Sequence, residues 1–202
     1  MSRDFTDLCD LAQERLGGAV VYANDEFFAE KDNLLKAARP VFIEGKYTDR
    51  GKWMDGWETR RRRTPGHDHC VIRLGVPGVV RGLVVDTAFF RGNFPEACSL
   101  EGCVVAGHPD PEELAHADWV EVLPRTTLLG DTQNRLPVDA AARFTHLRFH
   151  IYPDGGVARL RVHGEALPDR RWSGHAGVAV EADLAALEHG GAAVLCNDMF
   201  FG

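Results

Sequence analysis

Between Glu44 and Cys70 the chain reads EGKYTDRGKWMDGWETRRRRTPGHDHC, and no other stretch holds so many groups able to do chemistry. Lys46, Asp49, Lys52, Asp55, Glu58, Arg60 to Arg63, His67, Asp68 and His69 fall within it, with Tyr47, Trp53 and Trp57 among them. Glycines 45, 51, 56 and 66 and Pro65 break it into turns, so it cannot be one long helix. Acids, bases and indoles held by tight turns suit a small polar substrate. Asp55, Glu58, His67 and Asp68 are the candidates for moving a proton. Arginine carries a planar fork that matches a carboxylate, and Arg60 and Arg62 share one face if the run is extended. A solvated loop has the same composition. Asp55-Gly56 is also a turn dipeptide, Glu58 can pair with a neighbouring arginine, and Trp57 can pack in a core.

The His67-Asp68-His69 cluster has the ligand chemistry of a divalent-ion site. Neighbouring residues on a strand point to opposite faces, so at most two of the three converge without a distant ligand. His108, His116, His146 and His150 are available, but no spacing ties them to the cluster. The expectation is no cofactor and no metal ligand, with a divalent ion as the alternative.

Short strands must position these groups. The apolar run Ala19 to Ala23 delivers Asn24 and Asp25 to a strand end, followed by Phe27 and Phe28. Further strands are expected at 41–43, 70–74, 79–86, 100–105 and 119–123. Helix is expected over 5–16, with Thr6 as its cap and Gly17-Gly18 as its stop. A short helix or a loop is expected over 31–40, and a short helix from Asp110-Pro111 through Ala117. Leu147, Phe149 and Ile151 alternate with His146, Arg148 and His150; after Pro153-Asp-Gly-Gly156, Ala158, Leu160 and Val162 alternate with Arg159, Arg161 and His163. This reads as a β-hairpin whose polar rows form a solvated face. Many strands, Gly/Pro turns and little helix predict an all-β fold, an antiparallel β-sandwich or jelly roll with a few short helices.

The 202 residues suit one ordinary domain, with or without an appendage. A net charge of −7 argues against non-specific binding to nucleic acid or to a membrane surface. Five cysteines without a CxxC pair fit reduced thiols. No signal-like or membrane-length apolar run is present, and a soluble, cytoplasmic protein is expected.

Residues 10–29, DLAQERLGGAVVYANDEFFA, return as DLAALEHGGAAVLCNDMFFG at 183–202, with eleven of twenty positions identical and no gap. The chain is therefore expected to hold a first repeat over 1–167, a linker over 168–182 and the start of a second, truncated repeat at 183–202. Asn24-Asp25 is kept in both copies, which marks a constraint there, whether on a ligand or on an Asx-turn.

The block GKYTDRGKWMDGWETRRRR with PGHD, together with NDEFF, DTAFFRGNFPE, PDGGVARLRVHG and NDMFFG, resembles allantoicase (allantoate amidinohydrolase) over nearly the whole chain. The resemblance implies tandem sandwich domains of the galactose-binding jelly-roll type and hydrolysis of allantoate to urea and ureidoglycolate in purine degradation. Allantoate has one carboxylate and two ureido arms. An arginine of the 60–62 pair would take the carboxylate, and Asn24, Asp25 or Asn93 would answer the ureido groups. Lys46 and Trp57 complete the expected binding set. A small-molecule substrate and a homo-oligomer are the expected partners. A non-catalytic, carbohydrate-type binding jelly roll is the alternative function.

Overall fold

The computed structural model describes residues 4–167, together with 185, 186 and 191. The expected linker and second repeat therefore lie outside the described residues, those three positions apart. So does the comparison of Phe200 and Phe201 with Phe27 and Phe28.

The strands are β1 (Cys9–Asp10), β2 (Ala19–Ala23), β3 (Tyr47–Thr48), β4 (Gly51–Lys52), β5 (Trp57–Glu58), β6 (Asp68–Asp86), β7 (Ala97–Cys103), β8 (Val120–Thr127), β9 (Gln133–Pro137), β10 (Arg143–Tyr152), β11 (Gly156–Val157) and β12 (Arg159–Ala166). The helix α1 (Pro111–Ala115) starts on a capping box between Asp110 and Glu113, as its Asp-Pro start predicts. Eight strands make one antiparallel sheet in the order β1-β12-β6-β10-β7-β8, with β2 and β9 also pairing to β6. The expected all-β antiparallel sandwich is the observed fold.

Two strands were expected where the single strand β6 runs. Its first half, residues 68–73, pairs with β10, and residues 70–73 also take β2. Its second half, residues 78–86, pairs with β12, and residues 82–86 also take β9. Between the halves the register with β10 jumps, and the amides of Gly75 and Val76 both donate to the Leu11 carbonyl. One strand thus serves both layers. The space between them is filled by Cys70, Ile72, Leu83 and Val85 of β6, Leu147, Phe149 and Ile151 of β10, and Leu160 and Val162 of β12.

The expected hairpin is not there. β10 and β12 form, but β10 pairs with β6 and β7, and β12 with β6 and β1. The Pro153-Asp-Gly-Gly turn carries the chain from one layer to the other, and β11 pairs with β5 on the way. A Cβ on Gly156 would lie 1.9 Å from the Phe90 ring, so only glycine fits at this crossing. Two further expectations fail locally. Residues 5–16 form 3-10 turns at Phe5–Asp7 and Glu14–Leu16 around β1, because Asp4, rather than Thr6, caps the first turn and Leu11 is drawn to β12 and β6. Residues 41–43 are exposed and unpaired in any strand. The four described cysteines are free thiols, and burial pushes Cys9 and Cys103 up to about 11, which leaves them poor nucleophiles.

Nor are the arginines of β12 a solvated row. The Arg159 side chain is 3% exposed and meets Asp55, 9% exposed, at 2.7 Å; it also donates to the carbonyls of Ala38 and Asp55. Arg161 donates to the carbonyls of Lys36 and Ala37. Together they pin the segment leading to the arginine run onto β12. Arg159→Ala should therefore cost about 3–5 kcal/mol, because it strands a buried carboxylate. The double change Asp55→Asn with Arg159→Met should recover much of that loss. Urea unfolding of the three proteins checks both statements.

Candidate active site

Ala23 of β2 pairs with Cys70 of β6, which sets Asn24 beside the first residues of β6. Asn24 exchanges backbone and side-chain bonds with His69: its amide donates to the His69 carbonyl at 3.1 Å, and its Oδ1 accepts from the His69 amide at 2.8 Å. Its Nδ2 donates to Asp68 Oδ1 at 3.0 Å. The same oxygen takes an Arg62 guanidinium N–H at 2.6 Å, and the Asp68 side chain is only 2% exposed. Asp25 binds Arg60 through both its backbone amide (2.6 Å) and its Nε (3.0 Å). The Arg62 amide is held by Asp154 at 2.8 Å. Gly66, at φ +126°, lies against the Arg62 guanidinium, where a Cβ would sit 3.0 Å from it. Arg62 Nε and Asp68 Oδ2 are buried with no hydrogen-bond partner. One donor and one acceptor of this ion pair are thus closed off from solvent and unpaired.

A groove of about 570 Å³ opens beside this knot, on the outer face of the layer formed by β6, β10, β7 and β8. Asn24, Arg62 and His67 stand at one end of it. The sheet supplies the rest. His150 lies opposite His69 on β6 and Ser99 on β7, and Arg148 lies opposite Glu101. His67 Nε2 and His150 Nδ1 are 2.9 Å apart, and His150 Nε2 meets Glu101 Oε2 at 2.8 Å. Arg148 binds that same oxygen at 2.6 Å. Tyr152 packs on the His67 ring, centroids 4.5 Å apart. A smaller depression of about 300 Å³, lined by Asp25, Arg60, Arg61 and Thr64, shares Asn24 and Arg62 with the groove.

Desolvation lowers the pKa of all three histidines. His69 falls to about 4, with His150 and Arg148 adding to the effect, and His67 is lowered further by His150 and Arg62. His150 is lowered despite Glu101, which pulls the other way. Burial alone would raise Glu101, but bonds from His150 and Arg148 hold it below the usual carboxylate range. At neutral pH the groove therefore presents neutral imidazoles, able to accept protons, among fixed arginine charges.

Asn24, Asp25, Arg60, Arg62, His67 and Asp68 come together. The remaining expected residues do not join them. Trp57 is fully buried in the core and its Nε1 donates to the Asp25 carbonyl, so it positions Asp25 and cannot touch a ligand. Asp55 is spent on Arg159. Lys46 lies over Trp53, 3.7 Å from the ring, beside the small β3–β4 ribbon. Glu58 and Asn93 bind each other at 2.7 Å and line neither depression. His69, Ser99, Glu101, Arg148, His150 and Tyr152, none of them among the expected catalytic or substrate-binding residues, make the groove's wall. Their signal was the polar row of β10, which points away from the core and lies in register with His69 and Glu101. Among the described residues no three His, Cys, Asp or Glu side chains stand so as to hold a metal ion.

The family model named allantoicase repeat matches residues 9–167. The chain belongs to the allantoicase family. It is 50% identical over 202 residues to a probable allantoicase of Nocardia farcinica, covering 99% of this chain and 60% of that relative. It thus spans about 60% of that relative's length. A solved structure of an allantoicase superposes with a TM-score of 0.74 at 32% identity, covering 90% of this chain and 52% of the other. A family 32 carbohydrate-binding module from Clostridium perfringens shares the fold alone, with a TM-score of 0.52 at 13% identity over 81% of this chain and 99% of the module.

Burial raises the pKa of Glu58, and the bond from Asn93 offsets only part of that. The native state holds this proton more tightly than the unfolded chain does. The resulting stability is full below the ordinary value of 4.5 and is lost as pH rises through the raised native value. Glu58→Gln should therefore gain stability relative to the parent as pH goes from about 4 to about 7, with little change at the acid end. Urea midpoints across that range read the difference.

Proposed function

We propose that this chain carries the substrate groove of an enzyme that hydrolyses allantoate to urea and ureidoglycolate. The observation that carries the reading is the groove itself, in a family member half identical to probable allantoicases: neutral histidines flanked by Arg62 and Arg148, with Asn24 at one end. Arg62 lines the groove beside Asn24, and its guanidinium has the charge and the fork that match a substrate carboxylate. Asn24 and the groove's carbonyl and hydroxyl groups complement ureido N–H and C=O groups. Asp25 and Asp68 hold Arg60 and Arg62 in place, so these carboxylates act through the arginines. The reading assigns proton transfer to side chains and calls on no cofactor. Assembly into a homo-oligomer and a cytoplasmic site belong to the same proposal, and sedimentation and fractionation test them. Among the described residues no helix is long and apolar enough to cross a membrane.

The alternative, a sugar-binding jelly roll without chemistry, shares the fold but calls for an aromatic platform, and this groove is lined chiefly by charged and imidazole groups. Urea release from allantoate, with calorimetric binding in parallel, separates the two. Turnover supports the hydrolase, binding without turnover supports the module, and neither overturns both. Arg62→Lys keeps a charge for Asp68 but loses the fork. It should raise KM for allantoate roughly tenfold to a hundredfold, the worth of a charge-assisted hydrogen bond.

A further inference from the structure

We infer that His67, His150 and Glu101 form a proton relay, with His67 Nδ1 as the group that takes and returns the proton during hydrolysis. The inference rests on the reading of the groove given under the proposed function and adds the acid/base machinery to it.

The hydrogen-bond chemistry assigns each proton. Glu101 is ionised and can only accept, so His150 Nε2, at 2.8 Å, carries a hydrogen. In neutral His150 the other nitrogen, Nδ1, is then an acceptor. His67 Nε2, 2.9 Å away, must be the donor to it. Neutral His67 is left with a lone pair on Nδ1. The chain of bonds thus ends in a base whose far end is anchored by a carboxylate, and Arg148 fixes that carboxylate from the neighbouring position on β10.

The surrounding charges fit this assignment. Arg62 from the arginine run, Arg125 from β8 and Arg148 from β10 disfavour a cation on the rings; Arg125 lies 4.3 Å over the Tyr152 ring, which itself packs on His67. Asp68 of β6 is already bound by Arg62, and Glu121 of β8 lies in the groove wall without a bond to either ring. His69 of β6 is in ring contact with both, 6.5 Å from His67 and 5.6 Å from His150. Glu101 is therefore the carboxylate that steadies a proton once it arrives, and the relay directs it there.

The step balances. His67 Nδ1 takes the N–H proton of one ureido arm, and the electron pair left on that nitrogen forms a C=N bond to the central carbon as the C–N bond to the other arm breaks. The His67 Nε2 proton passes to His150 Nδ1, leaving an imidazolium against Glu101. The departing urea nitrogen takes the proton from His67 Nδ1, and the His150 proton returns to His67 Nε2. Water then adds across the C=N bond, its oxygen to carbon and one proton, by way of His67 Nδ1, to nitrogen, which gives ureidoglycolate. Base and acid are the same ring in two tautomers. Under this scheme His67 is the catalytic residue, and His150 and Glu101 are positioning residues.

Imidazole ¹⁵N NMR on the chain tests the relay without any turnover. At neutral pH both His67 and His150 should show the Nε2–H tautomer. On acidification the first proton should appear on His150 as an imidazolium, while His67 switches to Nδ1–H. His67 becoming an imidazolium beside a neutral His150, or starting as Nδ1–H, overturns the relay. The kinetic arm uses Glu101→Gln, whose Oε1 still accepts from His150 but carries no charge. Urea release should lose kcat about tenfold to a hundredfold with KM nearly unchanged, and the acid limb of the profile should move to lower pH. An unchanged kcat overturns the relay. If the parent releases no urea, the proposed function fails, and the NMR result alone decides the relay.

Discussion

Every part of the site depends on the continuity of β6. A strand that changes neighbours halfway along must satisfy its backbone groups on both edges in both layers, and β6 does so with β2 and β10 first, then with β12 and β9. Its start is held by Asn24 on one side and by the Pro153 carbonyl on the other. Asp68 and His69 are consequently fixed by main-chain bonds before any side chain is considered. That rigidity is what lets a buried Asp68 hold Arg62 at the rim of a groove, since a loop residue would have to lose conformational freedom to do the same.

The groove is an electrostatic compromise. Three imidazoles within ring contact of one another would repel if charged, and desolvation and the nearby arginines keep them neutral. The arginines are in turn balanced by carboxylates placed behind them: Asp25 behind Arg60, Asp68 behind Arg62, Glu101 beside Arg148. The groove thus carries both signs, Arg62 and Arg148 beside Glu101 and Glu121, in a chain whose net charge is −7.

The family shares its architecture with a carbohydrate-binding module, and the fold alone does not set the chemistry of a face. Here the outward positions of β10 carry Arg148, His150 and Tyr152, and α1 with Trp119 closes one flank, where Arg148 stacks on the indole at 4.6 Å. The same scaffold with other outward residues would bind something else.

Much was legible in the residues alone. Alternation in 147–151 and 158–162 identified strands because a sheet face repeats every second residue, and the Asp110-Pro111 start identified α1 because its cap is local. The long block from Gly45 to His67 carried the family, and the shared Asn24-Asp25 marked a real junction. What stayed hidden was non-local. Which strands pair is decided by the packing of the whole core, so β10 and β12 read as one hairpin although each prefers β6. For the same reason Asp55, dense in apparent chemistry, turned out to belong to Arg159, 104 residues away. The row of His146, Arg148 and His150 looked solvated because nothing in one strand reveals what lies across it. Register alone placed His69 and Glu101 opposite that row, and a one-residue slip would have turned every one of those side chains into the core.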